Sequence, residues 1–352
     1  MPPTPITQHR LHNQQITQHT LASPVEVVRH LGALQGQDYP GVKWSIGLRV
    51  PGCTDADVEQ ALAKHAIVRT WLLRGTLHIA AAEDVRWMLA LVAPRLIAGN
   101  ARRYQQLELD EPTLMRSNDI LARALQDGQE LDRRALLALL EDHGISTEGQ
   151  RGVYLLQRAS LDGLIGQGVQ RGQYGIFFAL DRLPPATLSR EEALAEMARR
   201  YFTTRGPATL QDFVWWSSLT TPDARAALDS VRGELIEEKI DGVSYWRADI
   251  SPTDSDGFAA LLPGFDEYLL AYQNRRAMLD PSHAPLIQRG GMFAPTIVIG
   301  GRVVGTWQRT VRKRGVTVAL SPFAPLREDV LQAIKRPVQQ YGDFLGLPVE
   351  VH

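Results

Sequence analysis

Gln35 and Gln37 stand one residue apart in the run Leu31-Gly32-Ala33-Leu34-Gln35-Gly36-Gln37-Asp38-Tyr39-Pro40. An amide side chain offers donors and acceptors but no charge. Two of them aimed into one space can hold a water beside a cationic reaction centre, where a strong base is not required. The plainer reading is that the pair caps a helix end. Upstream, Ser23 can cap a helix with Pro24 at its first position and Glu26 three residues after the cap. Val27, Val28, Leu31 and Leu34 then form one apolar stripe at helical spacing. Gly36 is the expected stop, because glycine enters the left-handed region cheaply. On this reading Gln35 sits in the last helical turn and Gln37 just beyond it.

Further residues could join them. Asp38 is either a turn-forming residue before Tyr39-Pro40 or a carboxylate able to accept a proton or steady positive charge. Arg74, Thr76 and His78 alternate as one face of a strand would; a lone histidine also commonly has a structural role. Trp71, Trp215, Trp216 and Trp246 could stack on flat ligands, although core burial is the stronger reading. Nucleotide-binding glycine loops, nucleophile elbows and the His-Glu-x-x-His zinc motif are not found in the sequence. The nine histidines lack metal-ligand spacing and the single cysteine cannot build a zinc site, so neither metal nor cofactor is expected. The five lysines stand in no recognisable nucleophile context, which leaves water as the better nucleophile.

Bulk properties bound the answer. The chain has 352 residues, 44% of them hydrophobic, enough for two to three domains. It has no apolar run of about 20 residues to span a membrane, and the start Met1-Pro2-Pro3-Thr4-Pro5 does not resemble a signal peptide. Cys53 stands alone, which excludes an intramolecular disulfide and suits a cytoplasmic address. A net charge of −1 speaks against a uniformly basic coat. Between Asp280 and Glu328, however, there is no acidic residue, while Arg302, Arg309, Arg312, Lys313 and Arg314 all fall there. Such a segment can contact phosphates or be a solvated basic strand face.

A helix–helix–hairpin theme recurs along the chain. Its clearest copy has Asp132 capping a helix over 133–141, Gly144 at the stop, Ser146 capping a second helix to Gly163, and strands at 164–169 and 174–180. That order is a winged helix-turn-helix, whose second helix can enter a major groove. A later copy runs from the Ser189–Glu192 capping box through Thr209 and Thr221-Pro222 to a hairpin at Asp241-Gly242. A divergent earlier copy starts at Ser23, includes a helix at 55–66 and carries a strand from Trp71 to Ala80. Residues 252–257 read as a linker, and strands at 296–305 and 316–320 point to a β-rich end.

The glutamine run, together with Arg69-Thr70-Trp71-Leu72-Leu73-Arg74-Gly75-Thr76-Leu77-His78, resembles the winged-helix DNA glycosylases of the AlkZ type. Their mark is a Gln-x-Gln pair. A sister branch named for YcaQ carries Gln-x-Asp, so Gln37 favours the AlkZ side. The resemblance covers essentially the whole chain, including Pro263-Gly264-Phe265-Asp266-Glu267-Tyr268. It implies an α+β fold with three tandem winged helices (1–110, 111–187 and 188–250) and a β-rich domain at 251–352, arranged as a C-shaped DNA channel. It also implies that Gln35 and Gln37 position a nucleophilic water. Gly36, where relatives often carry something small or apolar, leaves more backbone freedom than usual. Arg74, Thr76 and His78 match the family's Arg-x-Thr-x-His pattern and would line the channel beside the lesion. The implied activity is monofunctional hydrolysis of the N-glycosidic bond of N7-alkylated purines in double-stranded DNA. Crosslinks and bulky natural-product adducts are included, in base excision repair or toxin self-resistance. A monomer is expected, cytoplasmic and nucleoid-associated when bound. A winged-helix regulator without catalysis is the alternative from another class.

Overall fold

The computed structural model describes residues 5–252 and 254–351. They form two compact units: the chain up to Val58 joined with the chain from Leu194 onward, and Glu59–Ala193 between them. In the first unit, α1 (Pro5–Asn13) precedes α2 (Pro24–Leu31). Ser23 caps α2 as its composition requires: the Glu26 N–H donates to Ser23 Oγ at 3.3 Å, and the Glu26 carboxylate accepts from the Ala22 N–H at 3.0 Å. The helix stops at Gly32, not Gly36. Gly32 takes φ +75° and its N–H bonds the Arg29 carbonyl, and the next three residues extend as a buried strand, β1 (Ala33–Gln35). Leu34 is buried as expected, but on this strand instead of the helical stripe. The chain continues into α3 (Tyr39–Gly47) and α4 (Asp55–Ala63).

The middle unit contains β2 (Ile67–Trp71), β3 (Leu77–Ala81), α5 (Ala82–Gly99), α6 (Ala101–Gln106), α7 (Glu111–Ala124), β4 (Leu131–Asp132), α8 (Arg133–Asp142), α9 (Arg151–Leu161), β5 (Ile165–Arg171) and β6 (Tyr174–Ala179). Its strands run in the order β3-β2-β5-β6-β4. Asp132 caps α8 by accepting the Ala135 N–H at 2.8 Å. Leu121, Leu136, Leu140, Leu155, Leu156 and Phe177 lie in one core that joins the three helices to the hairpin. Ser146 does not begin α9. Gly149, at φ +61°, breaks the approach, and the helix starts only at Arg151.

The first unit resumes within α10 (Arg190–Arg205), followed by α11 (Leu210–Ser217), α12 (Thr221–Val231), β7 (Ile236–Ile240) and β8 (Val243–Arg247). α12 starts at Thr221-Pro222 as expected, capped by Thr220, whose hydroxyl accepts from the Asp223 N–H at 3.2 Å. Asp241 and Gly242 both take positive φ, as a two-residue type I′ hairpin turn needs. Then come β9 (Ala259–Leu262), α13 (Glu267–Leu270), α14 (Ala284–Ile287), β10 (Gln288–Arg289), β11 (Met292–Phe293), β12 (Thr296–Ile299), β13 (Arg302–Arg312), β14 (Gly315–Pro322), α15 (Glu328–Leu345) and β15 (Val349–Val351). The strand expected at 296–305 is two, split where Gly300 and Gly301 turn at φ +53° and +81°. Sheet order is β15-β14-β13-β12-β9, with only β14–β15 parallel.

Aromatic packing ties this sheet to the glutamine-bearing segment. Trp44 on α3 and Trp307 on β13 each meet Tyr341 of α15 edge-on, with centroids 5.1 and 5.2 Å apart. Their indole N–H groups donate to Leu261 O and Leu262 O at 2.7 and 2.8 Å, so both buried polar tips are satisfied. Gly47 is required at this packing, since a Cβ there would fall 2.3 Å from the Phe344 ring. The class is α+β, and no helix among the described residues is long and apolar enough to cross a membrane.

Candidate active site

Gln35 ends β1 and is 7% exposed, whereas Gln37, two residues on, is exposed in the bend before α3. One amide is therefore set into the protein and the other is presented outward. The Gln35 backbone N–H donates to Glu267 Oε1 at 3.3 Å. Glu267 is itself fully buried and pairs through Oε2 with Arg205 Nη2 at 2.8 Å. Its neighbour Asp266 makes a two-pronged pair with Arg49, at 2.9 and 3.0 Å, and accepts from Ser45 Oγ at 2.6 Å. Burial pushes the Asp266 carboxyl up, but the Arg49 guanidinium and these hydrogen bonds outweigh it and hold it below the usual carboxylate range.

Asp38 follows the glutamines as the N-cap position of α3, without making a side-chain cap bond. Its carboxylate instead accepts from Arg309 Nη2 at 3.1 and 2.9 Å. A Cβ at residue 41 would lie 2.3 Å from Asp38 Oδ2, so Gly41 leaves the space this ion pair occupies. Arg309 Nη1 is buried without a partner. Lys43 on α3 pairs with Asp55 at 2.8 Å, so its amine is engaged by a carboxylate.

Arg74, Thr76 and His78 lie in the other unit and touch one another, but not as one strand face. The strand expected from Trp71 to Ala80 is a hairpin, broken by a turn in which Arg74 takes φ +58°. Arg74 and Thr76 belong to that turn and only His78 to β3. His78 is fully buried; its Nδ1 lies 2.9 Å from Thr76 O and its Nε2 3.3 Å from Arg74 Nη2. A guanidinium can only donate, so Nε2 accepts and Nδ1–H donates to the carbonyl. The turn is pinned by Gln157, whose Nε2 donates to Gly75 O at 3.1 Å.

Among the basic residues, Arg302 reaches Ala277 O at 3.4 Å and is half-buried. Arg312, Lys313 and Arg314 are all exposed at the tip of the β13–β14 hairpin, where Arg312 pairs with Gly315 across a two-residue turn. Trp216 is core, and Trp71 packs partly buried against the middle unit's core. Trp215 is 38% exposed, with its indole N–H donating to Leu270 O at 3.2 Å. Sequence reasoning missed Arg49, Arg205, Asp266 and Glu267. The available signal was two adjacent acids inside an apolar run, because buried acids demand buried cations.

An exposed glutamine beside a buried, braced one, on this α+β scaffold, suits an enzyme that positions water. The chain belongs to the AlkZ-like DNA glycosylase family, whose profile, described as DNA glycosylase AlkZ-like, matches residues 28–344. It is 25% identical to the interstrand DNA cross-link repair glycosylase of Streptomyces sahachiroi, over 97% of each chain. The solved structure of Streptomyces sahachiroi DNA glycosylase AlkZ shares the fold, with a TM-score of 0.80 at 22% identity across the whole of both chains. The protein is thus a DNA glycosylase with DNA as its substrate, and the regulator alternative falls.

Proposed function

We propose that the protein is a monofunctional glycosylase for cationic N7-alkylated purines in duplex DNA, with Gln35 and Gln37 holding the attacking water. The observation that carries this reading is the glutamine pair itself, its first member buried and tied through its backbone to Glu267. N7 alkylation leaves the purine positively charged, so the C1′–N9 bond breaks with its electron pair passing to the base, which departs neutral. Water then bonds to C1′ and releases a proton. The protein's share is placement of that water and stabilisation of positive charge on the sugar. Lys43, the lysine on the helix after the pair, is engaged by Asp55, which disfavours it as an amine nucleophile.

In this reading Arg74 and Thr76 line the lesion, and the buried His78 behind them holds the Arg74 guanidinium. Asp38 acts through its pair with Arg309, leaving Arg302, Arg312, Lys313 and Arg314 as candidates for phosphate contact. The helix–helix–hairpin units are winged helices presenting DNA to the site, and the protein acts as a cytoplasmic monomer. The relative named for interstrand cross-link repair supports crosslinks as part of the proposed substrate range, which we extend to bulky adducts. The first test is incubation with duplex carrying a single N7-methylguanine: free base is expected, and its absence overturns the proposal.

The hairpin tip yields a separate expectation. Neutralising Arg312, Lys313 and Arg314 together should weaken binding to damaged and undamaged duplex alike. The plot of log affinity against log salt should become shallower, by close to one unit for each phosphate no longer neutralised. An unaltered slope in fluorescence anisotropy titrations would mean that the tip faces solvent away from DNA.

A further inference from the structure

The segment Pro263-Gly264-Phe265-Asp266-Glu267-Tyr268 has no part in the chemistry above, yet it spends two adjacent carboxylates in the protein interior. What they hold is the glutamine segment, from both sides. On the upstream side, Glu267 takes the Gln35 N–H on Oε1, while Oε2 accepts from Arg205 Nη2 and Nε at 2.8 and 3.2 Å and from the Trp216 indole at 2.9 Å. Arg205 turns two further donors on the same stretch of chain: Nη1 to Leu31 O at 2.8 Å and Nη2 to Ala33 O at 3.1 Å. Residues 31, 33 and 35 are thereby gripped at alternate positions by one ion pair. On the downstream side, Asp266 holds Ser45 and Arg49, on α3 and just past its end, and Arg49 Nη1 also donates to Ser45 O at 2.6 Å.

Between the two grips lies Gln35-Gly36-Gln37, whose central glycine gives the backbone its greatest freedom. A water held by amides on such a segment is placed only as well as the segment is. A misplacement of about 1 Å can slow a positioned reaction about 100-fold. We infer that Glu267 and Arg205, with Asp266 and Arg49, are positioning residues for excision: they brace the chain on both sides of the glutamine pair so that it keeps the water in line with C1′. This rests on the proposed role of Gln35, through which the brace acts.

Two variants of the full-length protein test it. Arg205→Lys keeps a cation for Glu267, but a single ammonium cannot reproduce the guanidinium fork that reaches the carboxylate and two carbonyls together. The double variant Arg205→Met with Glu267→Met removes both charges, a change buried pairs often tolerate without loss of folding. Single-turnover excision of N7-methylguanine is measured per folded molecule, alongside affinity for a duplex with an uncleavable abasic analogue. Arg205→Lys should be slower by roughly 10-fold and the double variant by roughly 100-fold, with affinity within about threefold. Coupling to Gln35 separates positioning from plain stability. Gln35→Ala should cost about 100-fold in the native protein but under about fivefold in the double variant, because the two changes disable one function.

Native rates in the folded variants, or an undiminished Gln35→Ala effect in the double variant, overturn the brace while leaving the glutamine reading intact. A native rate in Gln35→Ala overturns the brace together with the role of Gln35 through which it acts. Should the double variant not fold, Arg205→Lys decides, with Gln35→Ala combined on it as the coupling test.

Discussion

Alanine at Gln35 or at Gln37 is expected to slow excision of N7-methylguanine by roughly 100-fold or more under single-turnover conditions, with little change in DNA affinity. That factor corresponds to about 2.7 kcal/mol of transition-state stabilisation. The split between rate and affinity follows from what the pair is proposed to touch. The attacking water approaches C1′ only as the sugar becomes positive, so its orientation matters in the transition state and scarcely in the bound ground state. Phosphate contacts, which dominate affinity, are proposed for cations elsewhere in the chain. Gln37 is exposed and its loss should leave folding unaffected, so a reduced rate there reports on the reaction directly. Gln35 is buried, and its backbone tie to Glu267 survives truncation of the side chain. Unchanged rates in both variants would remove the pair from the mechanism.

How far such a site can be read from sequence depends on whether its determinants are local. The helices around Asp132 and the hairpin at Asp241-Gly242 follow from caps and turn residues a few positions away, and the structure agrees with them. The stop of the helix beginning at Pro24 does not. Gly32 and Gly36 are equally able to end it, and the same apolar residues suit a longer helix or a helix followed by a strand. The extended backbone of 33–35 is held by the carboxylate of Glu267, 232 residues beyond Gln35. Arg74 shows the opposite failure: a non-glycine residue seldom takes positive φ, so no local signal marks the turn that breaks the apparent strand. Even so, that turn brings Arg74 and His78 together, which the alternation argument suggested for the wrong reason. The partner of Asp38, Arg309, lies 271 residues away, and sign and spacing carry no information about such pairs.

The lesion range should be as narrow as glutamine chemistry makes it. An amide cannot protonate a leaving base at neutral pH. A cationic N7-alkylguanine needs no such proton and should be released readily, whereas uracil or hypoxanthine, neutral in DNA, should be excised poorly or not at all. The carboxylate nearest in sequence to the pair, Asp38, does not offset this. It accepts from Arg309 through both oxygens and is thereby committed to that ion pair. Amine chemistry is equally disfavoured. Lys43 is committed to Asp55, so attack by a lysine to form a Schiff base, followed by strand cleavage, has no free nucleophile on that helix. The product should therefore be an intact strand with an abasic site, cut only when alkali or heat is added. Denaturing gels of the three substrates, each run with and without alkali, read both expectations at once. Efficient uracil release, or nicking without alkali, would sink the water mechanism and require an acid or an amine at the site that the glutamine pair does not provide.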